Sequence, residues 1–257
     1  MSSPRVYLPE AGEPGTEVDL PPETANHLTR VLRLDPGAPV TVFTGRGGEL
    51  EATLTGSPRR PAVHLERFRA VERESPLDAV LWAGLSKGEK MDWVVQKATE
   101  LGAREIRPVQ TARSVRRLDP GKAAKNRARW QRVAASACEQ CGRNRVPAIG
   151  EVLGLEDALE EGVDHGLVLD AAGSPPETAP PPGLLHLLVG PEGGLTEAEL
   201  AAAESAGFVR TALGPRTLRT ETAALTALAW AQTLWGDLPG QGDPAPGSPQ
   251  GPLSFTG

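Results

Sequence analysis

The chain has 257 residues, 39% of them hydrophobic and 23% charged, with a formal net charge of −6. That is enough to bury a substantial core in one large or two modest domains, and the lack of any apolar run of about 18 residues excludes a transmembrane helix. The opening MSSPRVYLPEAGEPG has no apolar signal core and the two cysteines form no disulfide framework, so a cytoplasmic location is expected.

The charge is unevenly placed. Between Lys87 and Arg145 there are 15 Lys+Arg against 6 Asp+Glu, whereas from Val146 onward there are 3 against 15. A solvated helix face also carries charge runs. Here the basic excess is too large for ordinary i,i+4 pairing, which favours a polyanion partner.

Taken in order, residues 1–73 read as short β-segments. Val6–Leu8, Val40–Phe43, Glu49–Leu54 and Val63–Phe68 lie between Gly/Pro punctuation, and a helix is expected from about Glu23 to Leu32. A small β-barrel that holds RNA fits this pattern. His27 and Arg30 fall one helical turn apart, and with Arg5 and Arg33 nearby in sequence they are candidate phosphate contacts.

After the polar joint Glu72–Pro76 the period changes. LDAVLWAGL (Leu77–Leu85) is a buried-strand pattern, and Lys90–Leu101 is an amphipathic helix stopped by Gly102. Ile106–Val109 is the next strand, and a basic helix covers about Gly121–Cys141. Strands at Gly166–Asp170, Leu184–Val189 and Phe208–Leu213 then alternate with helices near Leu155–Glu161 and Thr196–Ala206. Such alternation predicts an α/β fold with a parallel sheet covered on both faces. SPPETAPPPG (Ser174–Gly183) reads as a surface connector, and residues 239–257 as a disordered tail.

Two stretches carry the functional signal. In LLVGPEGGLTEAEL (Leu187–Leu200) an apolar strand meets a turn built from Gly190, Pro191, Glu192, Gly193 and Gly194. Thr196 and Glu199 then supply the T-x-x-E pattern of a capping box. Strand, glycine turn and capped helix aim backbone N–H groups at a ligand, although a plain βα turn has the same ingredients. Gly-Lys-Ser/Thr is missing and G-x-x-G-G differs from G-x-G-x-x-G, so neither common phosphate loop is present. In LGPRTLRTETAALTALAWAQTLW (Leu213–Trp235) a second strand runs into Gly-Pro and a helix, with Thr220 as a plausible N-cap. Two such loops at strand C-terminal ends would sit side by side, where α/β folds bind ligands.

These paired stretches resemble the cofactor motifs of the SPOUT methyltransferases, specifically the RsmE family. SKGEKMDWVVQKATELG, ACEQCGRNRVP and the N-terminal PRVYLPE and HLTRVLRL support the resemblance, which spans about Pro4 to Leu238. It implies a PUA-like β-barrel over 1–73 and a trefoil-knotted SPOUT domain over 74–238. It also implies a homodimer, S-adenosylmethionine (SAM) as cofactor, and methylation of N3 of a uridine in small-subunit 16S rRNA. Another RNA such as tRNA, or a silent ribosome-assembly role, would use the same scaffold.

On the resemblance, Gly190–Gly194 with Leu213, Gly214, Arg216 and Leu218 would form the cofactor loops, joined by Leu169 and Thr222. Arg219 and Glu221 are the catalytic candidates, for anion stabilisation and proton acceptance. A structural cap and a loop salt bridge are the plainer roles for the same pair. Lys87, Lys90, Arg143, Asn144 and Arg145 are candidate RNA contacts. Cys138 and Cys141 form C-x-x-C without a second ligand pair, so they are expected to pack and no metal is implied.

Overall fold

The structure, a computed structural model, describes residues 3–57, 60–86, 89–114, 118–176, 178–179 and 183–238. Lys87 and the tail from residue 239 lie outside the described residues.

The N-terminal part is a five-stranded sheet in the order β1-β3-β4-β5-β2, built from β1 (Arg5–Tyr7), β2 (Glu17–Asp19), β3 (Pro39–Phe43), β4 (Glu49–Ser57) and β5 (Arg60–Arg69). Alternation makes it one-sided: Leu50, Ala52 and Leu54 of β4 point inward onto Val6, Val42, Val63 and Leu65. The short β2 has only one half-buried residue, Val18, and so leaves little period-2 signal in the sequence. The expected helix divides in two: α1 (Pro22–Asn26) passes into a π-helical turn over His27–Val31, and Arg33 follows at φ 55°.

The larger part is a parallel sheet in the order β12-β10-β11-β6-β7-β8, with a short β9 also pairing to β7. Its strands are β6 (Ala79–Gly84), β7 (Glu105–Gln110), β8 (Ala148–Ile149), β9 (Leu153–Gly154), β10 (Gly166–Ser174), β11 (Leu185–Val189) and β12 (Phe208–Thr211). The helices are α2 (Lys90–Glu100), α3 (Pro120–Cys141), α4 (Leu155–Leu159), α5 (Glu197–Ser205) and α6 (Thr220–Trp235). Every residue of β6 and β11 is buried because both sheet faces are covered. Ala79, Leu81 and Ala83 join the core formed with α2, α3 and α6, whereas Val80 and Trp82 join the opposite core with α4 and α5.

Local chemistry sets the helix ends. Asp119 caps α3 by accepting from the Lys122 N–H, and Gly142 closes it at φ 89°. The capping box on α5 is complete: Thr196 Oγ1 accepts from the Glu199 N–H, and Glu199 Oε2 accepts from the Thr196 N–H. At α6 the expectation is corrected. Arg219 occupies the N-cap without a side-chain cap bond, and Thr220 is the first helical residue, buried. β10 runs four residues further than expected, to Ser174, with a register shift against β12 after Leu169.

Candidate active site

Because the strands are parallel, their C-terminal ends share one edge of the sheet. The loops after β10, β11 and β12 and the segment beyond β7 meet there around a cavity of about 750 Å³, within the roughly 300–1,000 Å³ range of small-molecule sites. Gly190, Pro191, Glu192, Gly193 and Gly194 line one side, and Leu213, Gly214, Arg216 and Leu218 the other. Leu169 lies in the wall, followed by Asp170 and Ala171 at the bend of β10. Thr222 departs from the expectation: it sits exposed in the first turn of α6, outside the lining.

Two glycines explain the shape. A Cβ on Gly84 would lie 2.5 Å from the Pro191 nitrogen, so only glycine lets the end of β6 support the cofactor-side loop this closely. Gly214, at φ 99°, turns the second loop with a backbone that other residues rarely adopt.

Arg219 lines the cavity and is exposed, aimed from the α6 N-cap. Glu221 stands one step into the helix, behind the cavity lining rather than in it, with a side chain 15% exposed. Its Oε2 is buried and has no hydrogen-bond donor among the described residues; the Lys90 ammonium lies 3.6 Å away. Lys90 also pairs with Glu192 at 3.2 Å, so it bridges the first glycine loop and the start of α6 from the start of α2. The sequence expectation set Lys90 among RNA contacts; the structure sets it in the cavity wall between two carboxylates.

Sequence reasoning missed Arg113. It lines the cavity from the loop after β7, and its Nη1 donates to the carbonyls of Gly193 (3.0 Å) and Leu195 (3.2 Å). The partners lie 80 residues away in sequence, which left no local signal.

The other basic candidates divide into two groups. His27, Arg30 and Arg33 are exposed around the π-helical turn. Arg145 is also exposed, with an ion pair to Glu72 at 3.8 Å. Arg143, Asn144 and Arg5 are instead engaged inside the molecule, with Arg5 and Asn144 bonding across the seam between its two parts. Arg143, only 5% exposed, donates to Glu74 Oε2 from Nε (3.0 Å) and Nη2 (2.6 Å), and from Nη1 to the carbonyls of Thr99 and Ala103. Asn144 is fully buried, accepts from Arg5 Nη2 at 2.6 Å and donates to the Val71 carbonyl. Arg5 also pairs with Glu49 at 2.6 Å. The charges of Arg5 and Arg143 and the amide of Asn144 are engaged inside the molecule, which corrects the expectation that these three residues face RNA.

Cys138 is buried at the same seam and donates to the Arg145 carbonyl; Cys141 is half-buried one turn on. The hydrogen bond with the Cys138 thiol draws the Cys141 thiol below its ordinary range, and the same pairing with burial pushes Cys138 up.

Comparison with known proteins agrees with this geometry. A model described as an RNA methyltransferase domain matches residues 73–232, and one described as an RNA methyltransferase PUA domain matches residues 20–65. Ribosomal RNA small subunit methyltransferase E of Bacillus subtilis is 36% identical over 221 residues, covering 80% of this chain and 86% of that protein. This chain belongs to the ribosomal RNA small subunit methyltransferase E family. Another relative of that name, from Neisseria gonorrhoeae, was solved bound to S-adenosyl methionine. It superposes with a TM-score of 0.84 at 40% identity, over 92% of this chain and 99% of that one. A Legionella pneumophila protein in complex with SAM superposes at 0.86 with 37% identity, over 92% of this chain and all of the other. The methyltransferase E family thus shares both parts of this fold, the N-terminal sheet and the parallel sheet that carries the cavity.

Proposed function

We propose that this protein transfers a methyl group from SAM to N3 of a uridine in small-subunit ribosomal RNA. The observation that carries the reading is the cavity itself, framed by two glycine loops in a chain that belongs to the methyltransferase E family. Its walls suit the cofactor. Leu169, Leu213 and Leu218 offer an apolar seat for a flat base, and Asp170 and Glu192 offer acceptors and negative charge for hydroxyls and a sulfonium.

When bound, the cofactor supplies an activated methyl group for in-line attack, leaving as a neutral thioether. The residues of this chain do the rest. Uracil N3 carries a proton, and removing it leaves an anion spread over the flanking carbonyl oxygens. Arg219 stabilises that anion with paired guanidinium donors. Glu221 accepts the proton on its unbonded Oε2. Lys90, which lines the cavity, offsets the like charges of Glu192 and of Glu221 just behind the lining.

Exposed His27, Arg30, Arg33 and Arg145, with Lys122, Lys125 and Arg132 on α3, are proposed to position the RNA backbone. The reading carries with it a homodimer, a trefoil knot whose loops are the two glycine stretches, and a cytoplasmic place of work. Among the described residues no helix is long and apolar enough to cross a membrane. The domains are proposed to divide at residues 73 and 74.

The test offers methyl-labelled SAM with naked small-subunit rRNA and with assembled small subunits. Label in one of them supports the reading. SAM binding with label only in another RNA, such as tRNA, would replace the substrate, and no SAM binding would overturn the enzymatic reading.

A further inference from the structure

The loop that forms the cofactor side of the cavity, Gly190–Leu195, is gripped from outside its own strand and helix. The grip comes from the segment after β7, although β6 separates β7 from β11 in the sheet. Arg113 Nη1 donates to the Gly193 and Leu195 carbonyls, and the Ala112 N–H donates to Glu199 Oε1 at 2.7 Å. Glu199 is buried, and its second oxygen closes the capping box with Thr196. A Cβ on Gly193 would stand 3.0 Å from the Arg113 Cβ, so the two backbones approach closely.

We propose that Arg113 is a positioning residue: it holds the Gly190–Leu195 backbone in the shape that receives SAM. The peptide planes fixed by the guanidinium, together with the turn bond from the Gly194 N–H to the Pro191 carbonyl, spare the loop an ordering cost when the cofactor binds. The inference rests on the reading that the cavity takes SAM.

The experiment titrates SAM calorimetrically into the full-length wild type, R113A and R113K, and measures KM for SAM and kcat with small-subunit RNA. Losing a charged donor shared by two carbonyls is expected to weaken SAM binding and raise its KM about tenfold, with kcat within about threefold. R113K, which keeps a cationic donor, is expected to recover most of the affinity, a rescue that a purely structural role would not give. Unchanged SAM affinity in R113A, or R113K as weak as R113A, would overturn the inference alone. A wild type that binds no SAM would overturn the cofactor reading and the inference with it.

Discussion

Arg219 and Glu221 are two residues apart, yet the helix start gives them different surroundings. Arg219 is outside the first turn and open to the cavity, while Glu221 is tucked beside Lys90. Truncating Arg219 should therefore act on the transition state. R219A is expected to lower kcat about 100-fold, the usual cost of one lost anion-stabilising donor, with SAM affinity nearly unchanged in a calorimetric titration. Equal losses in both would make it a cofactor-binding residue. A second residue-scale expectation concerns His186, whose Nδ1 accepts from Trp82 Nε1 at 2.9 Å inside the sheet. Burial, assisted by the Arg107 guanidinium, depresses its pKa from the ordinary 6.5. A depressed histidine contributes stability above the unfolded-state value and loses it as pH falls through the folded one. The melting temperature should thus fall from neutral pH into the acid range less steeply in H186Q, which keeps an acceptor, than in the wild type. Parallel profiles would show that His186 does not titrate there. At this scale the sequence misleads where partners are remote: the run Arg143-Asn144-Arg145 reads as an RNA contact, but Glu74 and Val71 take the first two residues.

Elements were more legible, because their signals are local. The T-x-x-E pattern at Thr196 and the glycine at 142 mark helix ends that the structure shows in place. The near-continuous apolar runs of β6 and β11 announce strands buried on both faces. Legibility fails where an element is short or non-standard: β2, β8 and β9 have two or three residues each, and nothing in HLTRV distinguishes a π turn from an α turn. The cap prediction belongs here. T196A should cost about 1 kcal/mol in denaturant unfolding, and because the same residue ends the Gly190–Leu195 loop it should also weaken SAM binding. A stability loss with unchanged SAM affinity would separate the cap from the site. G84A is expected to be harsher on binding, since its methyl would push directly on Pro191.

The molecule as a whole is two sheets joined at a seam of buried charge. Arg5 reaches across it to Asn144 and to the Arg143 carbonyl, Asn144 donates back to the Val71 carbonyl, and the Tyr7 N–H donates to Glu139 of α3 at 2.9 Å. R143A would strand Glu74 and two carbonyls, and should cost about 3 kcal/mol in unfolding free energy, with RNA affinity of the folded protein little changed. A selective loss of RNA binding at full stability would return Arg143 to the RNA face. The seam sets the N-terminal sheet, with its exposed His27, Arg30 and Arg33, against the domain that holds the cavity. The charge segregation visible in the sequence falls within the larger part, between Arg145 and Val146, and the burial of Arg143 shows that a basic count overstates the surface available to RNA.

The most direct measurement is nucleoside analysis of small-subunit RNA after reaction with methyl-labelled SAM, with wild type, R219A and E221Q run in parallel. The account predicts one labelled nucleoside, N3-methyluridine, abundant with the wild type and strongly reduced with both variants. Label on a ribose, on a carbon or on another base, or full labelling by both variants, would contradict it.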